Sequence, residues 1–178
     1  MPAESPRTAL VVMGVAGVGK TTTASLLARE LGWKRAEADE FHPQANIDKM
    51  SAGIPLGDDD RTPWLRAIRD WITDRAEAGE NVVLTCSALK RSYRDVLREA
   101  NARVRFVFLH GPAPVVAERI GQRSGHFMPP SLLNSQFGDL EPLQSDEDGV
   151  TVDLRDNPER IVTCALTALN LAGPGVSQ

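Results

Sequence analysis

Several features are scarce in this sequence, and each scarcity argues against a class of protein. No apolar run approaches the length of a membrane-spanning helix, and residues 1–7 lack the apolar core of a signal peptide. The formal net charge is −4 at neutral pH, whereas a nucleic-acid-binding protein normally carries a basic surface stripe. The sequence therefore predicts a cytoplasmic protein without a membrane or nucleic-acid partner.

Cysteine is also scarce, with only Cys86 and Cys164 among 178 residues. Both stand in apolar surroundings, so we expect two buried thiols in a reducing compartment rather than a disulfide. The hydrophobic and charged fractions, 42% and 25%, are ordinary for a globular protein. The length fits a single domain over residues 1–178, with residues 1–7 and 173–178 expected to be flexible tails.

The most informative stretch that is present is Gly14–Thr21, which matches the phosphate-binding pattern G-x-x-x-x-G-K-[ST] at every position. An apolar run before it predicts a buried strand, and the apolar spacing after it predicts a helix that ends at Gly32. In that context, backbone N–H groups bind phosphate oxygens, Lys20 reaches the β- and γ-phosphates, and the Thr21 hydroxyl holds Mg²⁺. The alternative, an ordinary glycine-rich turn, is disfavoured by the complete match. ATP and Mg²⁺ are the expected cofactors.

Strand and helix patterns alternate along the rest of the chain. This alternation predicts an α/β fold whose parallel sheet is covered by helices on both faces, with the site at the carboxyl ends of the strands. The stretch 44–61 is predicted to be irregular and functional, followed by a helix that Thr62 caps and Pro63 opens. Later helices are predicted to start near 91, at Pro112 or Pro114, near 128–130 and at 157–158.

Two polar residues follow the second predicted strand. Asp39 is the candidate carboxylate that orients an acceptor hydroxyl and takes its proton late in phosphoryl transfer, although a turn aspartate is the alternative. His42 precedes a proline and lacks the companions of a metal site. It is either structural or a hydrogen-bond partner of a substrate hydroxyl.

Four basic residues could bind a substrate carboxylate, and the sequence does not choose among them. They are Lys49, Arg61, Lys90 and Arg94. The alternative for such residues is a solvated basic face. Lys90 and Arg94 are four apart and are predicted to share a helix face, and Ser87 beside them is a candidate for ligand contact.

Arg119 and Arg123 are also four apart, at the end of a predicted helix that breaks at Ser124-Gly125. Two guanidinium groups there could close over the γ-phosphate and neutralise charge in the transition state. Gly125 and the two prolines after it resemble a hinge. We therefore predict a lid over approximately residues 119–140, with a surface arginine pair as the alternative.

Read together, these segments resemble the small gluconate kinases of the phosphate-loop type, over nearly the whole chain. The blocks that carry the resemblance are Gly14–Thr21, His42–Met50, Gly53–Leu65, Cys86–Arg98, Gly125–Met128 and Ser135–Phe137. The resemblance implies a three-layer phosphate-loop nucleoside-triphosphate fold with a five-stranded parallel sheet and a mobile lid. It also implies transfer of the ATP γ-phosphate to the terminal hydroxyl of D-gluconate, and a homodimer. Glu37 stands where relatives often have aspartate, so Asp39 is the stronger candidate base.

The expected site divides into three sets. Catalysis is assigned to Lys20, Asp39, Arg119 and Arg123. Nucleotide contacts are assigned to Gly14, Val15, Ala16, Gly17, Val18, Gly19, Lys20, Thr21, Thr22, Arg119 and Arg123, with Thr21 on the metal. Substrate contacts are assigned to Asp39, His42, Asn46, Lys49, Arg61, Ser87, Lys90, Arg94, His126 and Gln136. Two other functions remain open: a kinase of another small hydroxy acid such as shikimate, and a non-catalytic nucleotide-binding regulator.

Overall fold

The structure is a computed structural model that describes residues 6–122 and 130–171, the side chains of 121–122 and 130–132 excepted. Its strands are β1 Thr8–Met13, β2 Lys34–Glu37, β3 Val82–Thr85, β4 Arg103–His110 and β5 Gly149–Asp153. Its helices are α1 Lys20–Leu31, α2 Gln44–Ser51, α3 Asp58–Glu77, α4 Arg91–Arg98, α5 Ala113–Gln122, α6 Pro130–Asp139 and α7 Pro158–Ala168. A 3-10 turn, Ala38–Phe41, follows β2.

All five strands form one parallel sheet in the order β2-β3-β1-β4-β5. Residues Ala9–Met13 of the central strand are fully buried, because apolar side chains are needed on both faces of a sheet that is covered on both sides. The chain leaves β1 toward β2 on one side of the sheet, and it later crosses from β3 past β1 to β4 on the other side. The carboxyl end of β1 is therefore the switch point at which such sheets bind ligands.

Helices cover both faces of this sheet, as β4 shows. The guanidinium of Arg98, the last residue of α4, lies 5.2 Å from the centre of the Phe106 ring. The neighbouring Arg105 donates to the carbonyl oxygen of Leu169, next to α7, at 2.8 Å. Successive residues of a strand point to opposite faces, so α4 and α7 lie on opposite sides of the sheet. The predicted three-layer α/β fold is confirmed.

The acceptor-side stretch is more helical than predicted. Residues 44–51 form α2 instead of irregular chain, and α3 begins at Asp58 rather than at Thr62. The carboxylate of Asp60 accepts from the backbone N–H of Gly57 at 2.9 Å, and the acidic first turn complements the partial positive charge of the helix N-terminus. Pro63 consequently lies inside the helix.

The structure also differs from three smaller predictions, which concern the cysteines, the start of α5 and the N-terminal tail. Both cysteines are free, but Cys164 is exposed on α7, so the expectation of two buried thiols holds for Cys86 alone. Helix α5 begins between the two proposed prolines, at Ala113. Residues 1–5 and 172–178 lie outside the described residues, whereas Arg7 accepts a hydrogen bond from the backbone of Arg103 at 2.8 Å and is not part of a free tail. Within the described residues, no helix combines the length and apolarity that a membrane crossing needs.

Candidate active site

The phosphate-binding loop leaves the carboxyl end of β1 and bends at glycines. Gly14, Gly17 and Gly19 have φ angles of +146°, +85° and +98°, a region that favours glycine. A Cβ atom on Gly14 would lie 2.8 Å from the carbonyl oxygen of Leu109, and one on Gly17 would lie 2.5 Å from Cγ1 of Ile120. The loop therefore has to be glycine-rich to pass between its neighbours and enter α1.

Polar groups of this loop already make contacts within the protein. The ammonium of Lys20 donates to the carbonyl oxygens of Gly14 and Val15, at 3.0 Å each. The backbone N–H of Ala16 donates to Oε1 of Gln136 on α6 at 2.7 Å. The resemblance assigned Gln136 to the substrate, and the structure brings its side chain directly to the phosphate loop. Val15 and Val18 are buried, whereas Thr21 and Thr22 are exposed.

An oxygen-rich cluster lies beside the start of α1. The hydroxyl of Thr21 donates to Oε2 of Glu37 at 3.4 Å, and the hydroxyl of Thr85 donates to the same carboxylate oxygen. Arg35 pairs with the other oxygen of Glu37. Within the described residues, no group of three or more His, Cys, Asp or Glu side chains could hold a metal ion. Hydroxyls and a single carboxylate nevertheless suit Mg²⁺, which takes few protein ligands and completes its shell with water and phosphate oxygens.

A cavity of about 550 Å³ runs from the phosphate loop toward α2 and α3. Its polar wall includes Asp39, His42 and Ser87, and its apolar wall comes from α2 and the segment before α3. Among the described lining residues, Lys20 and Arg61 are those with a permanent positive charge. The cavity is therefore divided into a phosphate end and an acceptor end, each with its own cation.

His42 is held rigidly at the acceptor end. Its ring stacks on Trp64, with centroids 4.2 Å apart and planes 13° apart, and Trp64 is anchored by a 2.7 Å hydrogen bond to the carbonyl of Ala38. Burial lowers the pKa of His42, with Asp39 opposing and Arg61 reinforcing that change. Nε2 of His42 lies 3.9 Å from a carboxylate oxygen of Asp39, whose side chain is 92% exposed. The imidazole is therefore neutral near neutral pH, beside an accessible carboxylate.

Arg61 is buried, being 7% exposed, yet it lines the cavity. Its Nη1 donates to the hydroxyl of Tyr93 at 2.9 Å and lies 3.2 Å from Oδ2 of Asp139. The guanidinium also lies 5.2 Å from the centre of the Tyr93 ring. A planar cation held in this way suits a bidentate contact with a carboxylate.

The other basic candidates have internal partners away from the cavity lining. Lys49 contacts both carboxylate oxygens of Asp60 at 2.9 Å, and Lys90 lies 3.0 Å from the carboxylate of Asp58. Lys90 is the cap residue before α4, so the prediction that it shares a helix face with Arg94 is wrong. Neither lysine lines the cavity.

Arg94 is fully buried, and its donors are used within the fold. It binds both carboxylate oxygens of Glu147, at 2.7 and 2.9 Å, and donates to the carbonyl of Ala88 at 2.8 Å. Ala88 has a φ of +46°, uncommon for a residue with a side chain. This burial contradicts the predicted contact between Arg94 and a substrate. Arg94 instead supports the loop that carries Ser87.

The lid residues are only partly described. Arg119 donates to the carbonyl oxygen of Leu154, just after β5, at 2.7 Å. Arg123 and His126 lie outside the described residues. The arginine lid over the γ-phosphate therefore stays a prediction.

The sequence reasoning missed or discounted three residues. Glu37 and Thr85 are the last residues of β2 and β3, and Asp139 is the last of α6. Position at the carboxyl end of a strand was an available signal for the first two, because those ends surround the phosphate loop. Cys86 also lines the cavity, but burial raises the pKa of its thiol to about 12, so it is no nucleophile near neutral pH.

Comparison with known proteins agrees with this geometry. A family model described as an AAA domain matches residues 10–142. The gluconokinase of Gluconobacter oxydans (strain 621H) is 48% identical over 153 residues, which cover 86% of either chain. A sugar kinase from Janibacter sp. HTCC2649, solved without ligand, is 51% identical with a TM-score of 0.90, covering 97% of this chain and 100% of that one. A gluconokinase structure from Sinorhizobium meliloti 1021 is 48% identical with a TM-score of 0.84 and 94% coverage of both chains. Because the identity is this high over most of the chain, and because the site combines a phosphate loop with an acceptor pocket, the chain belongs to the gluconokinase family of phosphate-loop kinases.

Proposed function

We propose that this protein transfers the γ-phosphoryl group of ATP to the terminal hydroxyl of D-gluconate, giving 6-phospho-D-gluconate and ADP. The observation that carries the proposal is the continuous cavity with Lys20 at the phosphate end and Arg61 at the acceptor end. A sugar acid needs one anchor for its carboxylate and a free hydroxyl directed at the nucleotide. This separation of two cations supports that arrangement.

Phosphoryl transfer depends mainly on positioning and on neutralising charge. The backbone N–H groups of Gly14–Thr21 and the ammonium of Lys20 would bind the phosphates, and Lys20 would exchange its carbonyl contacts for phosphate oxygens. Thr21, Glu37 and Thr85 are the residues that would hold Mg²⁺, directly or through water. When bound, the ion neutralises charge on the β- and γ-phosphate oxygens.

On the acceptor side, Arg61 would bind the carboxylate of gluconate. Asp39 would orient the reacting hydroxyl and accept its proton late in the transfer, because it is exposed beside the cavity and close to His42. His42 and Ser87 would contact hydroxyl groups of the substrate. Lys49 and Lys90 would act through Asp60 and Asp58, by shaping the start of α3, rather than on the substrate.

We also propose a lid over residues 119–140 in which Arg119, Arg123 and His126 approach the substrates. Gln136 supports this role because it already touches Ala16 of the phosphate loop. The family resemblance implies a homodimer, and the composition of the sequence predicts a cytoplasmic location. Light scattering coupled to size exclusion would test the dimer.

The test is ADP release by the purified protein with Mg²⁺-ATP and a panel of sugar and hydroxy acids at equal concentration, including gluconate and shikimate. We expect gluconate to give the fastest rate, and mass spectrometry to find the phosphate at C6. A faster rate with another acid would reassign the substrate. Tight ATP binding with no acceptor-dependent ADP release would indicate a regulator instead.

A further inference from the structure

Asn46 lies buried behind the acceptor wall, in the first turn of α2, with only 3% exposure. Its Nδ2 donates to the backbone carbonyl oxygen of Asp60 at 2.8 Å and lies 3.1 Å from Nδ1 of His42. A carbonyl oxygen only accepts hydrogen bonds, so the atom of Asn46 that faces Asp60 must be the amino nitrogen. Asp60 therefore determines which way the carboxamide of Asn46 points.

The same amino group then determines the protonation of His42. An amide nitrogen donates and does not accept, so Nδ1 of His42 must be the acceptor of the 3.1 Å contact. A neutral imidazole carries one proton, which consequently sits on Nε2. Protonation of Nδ1 would place two N–H groups against each other.

The groups around the ring keep it neutral. Trp64 of α3 stacks on one face, and the His42 side chain is 4% exposed. Burial has the largest effect on the ring and lowers the pKa of His42. Two charged groups face the ring: Asp39 from the 3-10 turn raises this pKa, and Arg61 from α3 lowers it. Asp60 presents its backbone carbonyl to Asn46, not its carboxylate to the ring.

We propose that Asn46 is a positioning residue that holds His42 in the Nε2–H tautomer, so that His42 donates a hydrogen bond to a hydroxyl oxygen of the sugar acid. The part about the substrate rests on the proposed function. Nε2 and the Asp39 carboxylate are 3.9 Å apart, so a hydroxyl between them accepts from His42 and donates to Asp39. This pair selects a hydroxyl over a carbonyl group, which has no proton for Asp39. His42 is thus a specificity residue and not the base.

Nuclear magnetic resonance tests the tautomer without any substrate. The chain has three histidines, so long-range ¹H–¹⁵N spectra of protein labelled with ¹⁵N-histidine can resolve each ring. His42→Gln assigns the signals of His42 by their loss. We expect the Nε2–H pattern near neutral pH, whereas an Nδ1–H pattern or a protonated ring there would overturn the proposal.

Substitution of Asn46 provides a second arm. In Asn46→Asp a carboxylate faces Nδ1 and accepts a hydrogen bond from an N–H there, so we expect His42 to carry protons on both ring nitrogens near neutral pH. Asn46→Ala should give a mixture of tautomers, and an unchanged Nε2–H pattern in Asn46→Ala would show that Asn46 does not control the ring. If these variants fail to fold, the wild-type spectrum still decides the tautomer.

Steady-state kinetics tests the role toward the substrate. The amide of glutamine approximates the position of Nε2 and that of asparagine the position of Nδ1. We expect His42→Asn to raise the KM for gluconate about tenfold and His42→Gln to raise it about threefold or less, with the KM for ATP unchanged. His110→Gln, an exposed residue of β4, is the matched control. Equal losses in both His42 variants would refute donation from Nε2, whereas inactivity of the wild type with gluconate would refute the proposed function and leave the tautomer result standing.

Discussion

Oδ2 of Asp139, the last residue of α6, lies 3.2 Å from Nη1 of Arg61, a cation of the acceptor cavity. Three residues earlier on the same helix, Gln136 bonds the phosphate loop at Ala16. One helix therefore contacts both ends of the cavity.

Arg61→Met should raise the KM for gluconate by about 100-fold or more, because the loss of a charge-assisted contact costs about 3 kcal/mol. The KM for ATP should change little, since Lys20 and the loop are untouched. Arg66→Met, an exposed position on the same helix, is the matched control. A similar increase in both KM values, or an unchanged KM for gluconate, would contradict this role.

Asp139→Asn removes an internal competitor for Arg61. We expect the KM for gluconate to fall about two- to fivefold, because a partly exposed ion pair is worth up to about 1 kcal/mol. Asp59→Asn makes the same charge change at an exposed position of α3 and should have no such effect. Steady-state kinetics at low ionic strength measures the difference, and a higher KM in Asp139→Asn would show that Asp139 assists the substrate instead.

Glu37→Gln should raise the Mg²⁺ concentration for half-maximal activity by at least about tenfold, as loss of a residue that orients a metal ligand does. The hydroxyls of Thr21 and Thr85 would remain but lose their shared carboxylate. Glu40→Gln, an exposed carboxylate in the following turn, is the control. A Mg²⁺ titration at saturating ATP and gluconate gives the answer, and identical titration curves would place the ion elsewhere.

Asp39→Asn should lower kcat by about 10²- to 10⁴-fold, the usual contribution of a general base, with little change in ATP affinity. Calorimetry measures ATP binding and single-turnover kinetics measures the chemical step. Asp48→Asn on α2, whose exposed side chain pairs with Gln44, should leave kcat unchanged. An unaltered kcat in Asp39→Asn would move the base to another residue.

The buried ion pair between Arg94 and Glu147 should make the free energy of unfolding depend on pH in the acid range. Burial opposes ionisation of Glu147, but hydrogen bonds from Arg94, the backbone of Gln144 and Arg98 lower its pKa from 4.5 to about 2. A depressed carboxylate pKa stabilises the fold above the unfolded-state pKa, and this contribution, about 3 kcal/mol, disappears as the pH falls from about 5 to about 2.

Urea unfolding at several pH values tests this component. The free energy of unfolding of the wild type should fall steeply below about pH 5, and Glu147→Gln should be less stable at neutral pH with a shallower decline. Asp146→Asn, which breaks the exposed pair with Arg91, is the control and should change the free energy of unfolding little, because solvent screens exposed ion pairs. Parallel pH curves for wild type and Glu147→Gln would exclude this origin.

Much of the fold could be read from local pattern. The complete loop motif after an apolar run requires a strand, a tight turn and a helix, and alternation of such units requires a parallel sheet. Helix α2 was missed because only Asn46 on it is buried, which leaves no apolar stripe to detect. The predicted start of α3 is too late, because the acidic first turn after the Gly57 cap contains no apolar residue that would mark it as helix.

In the candidate site, too, some features follow from local sequence pattern and others do not. Motif spacing alone indicated the phosphate-binding half, because its groups are neighbours in the chain and their chemistry is local. The assignment of the basic residues required tertiary structure, since a charge acts on whatever lies beside it in space. Arg94 pairs with Glu147, which is 53 residues away in the sequence, and Lys90 pairs with Asp58, which is 32 residues away. Both basic residues therefore have partners within the protein, whereas Arg61 lines the cavity. Local pattern along the chain is therefore enough to establish that the protein binds a nucleotide phosphate on a parallel sheet. Which cation faces the acceptor follows from the fold, because burial and pairing depend on contacts between distant residues.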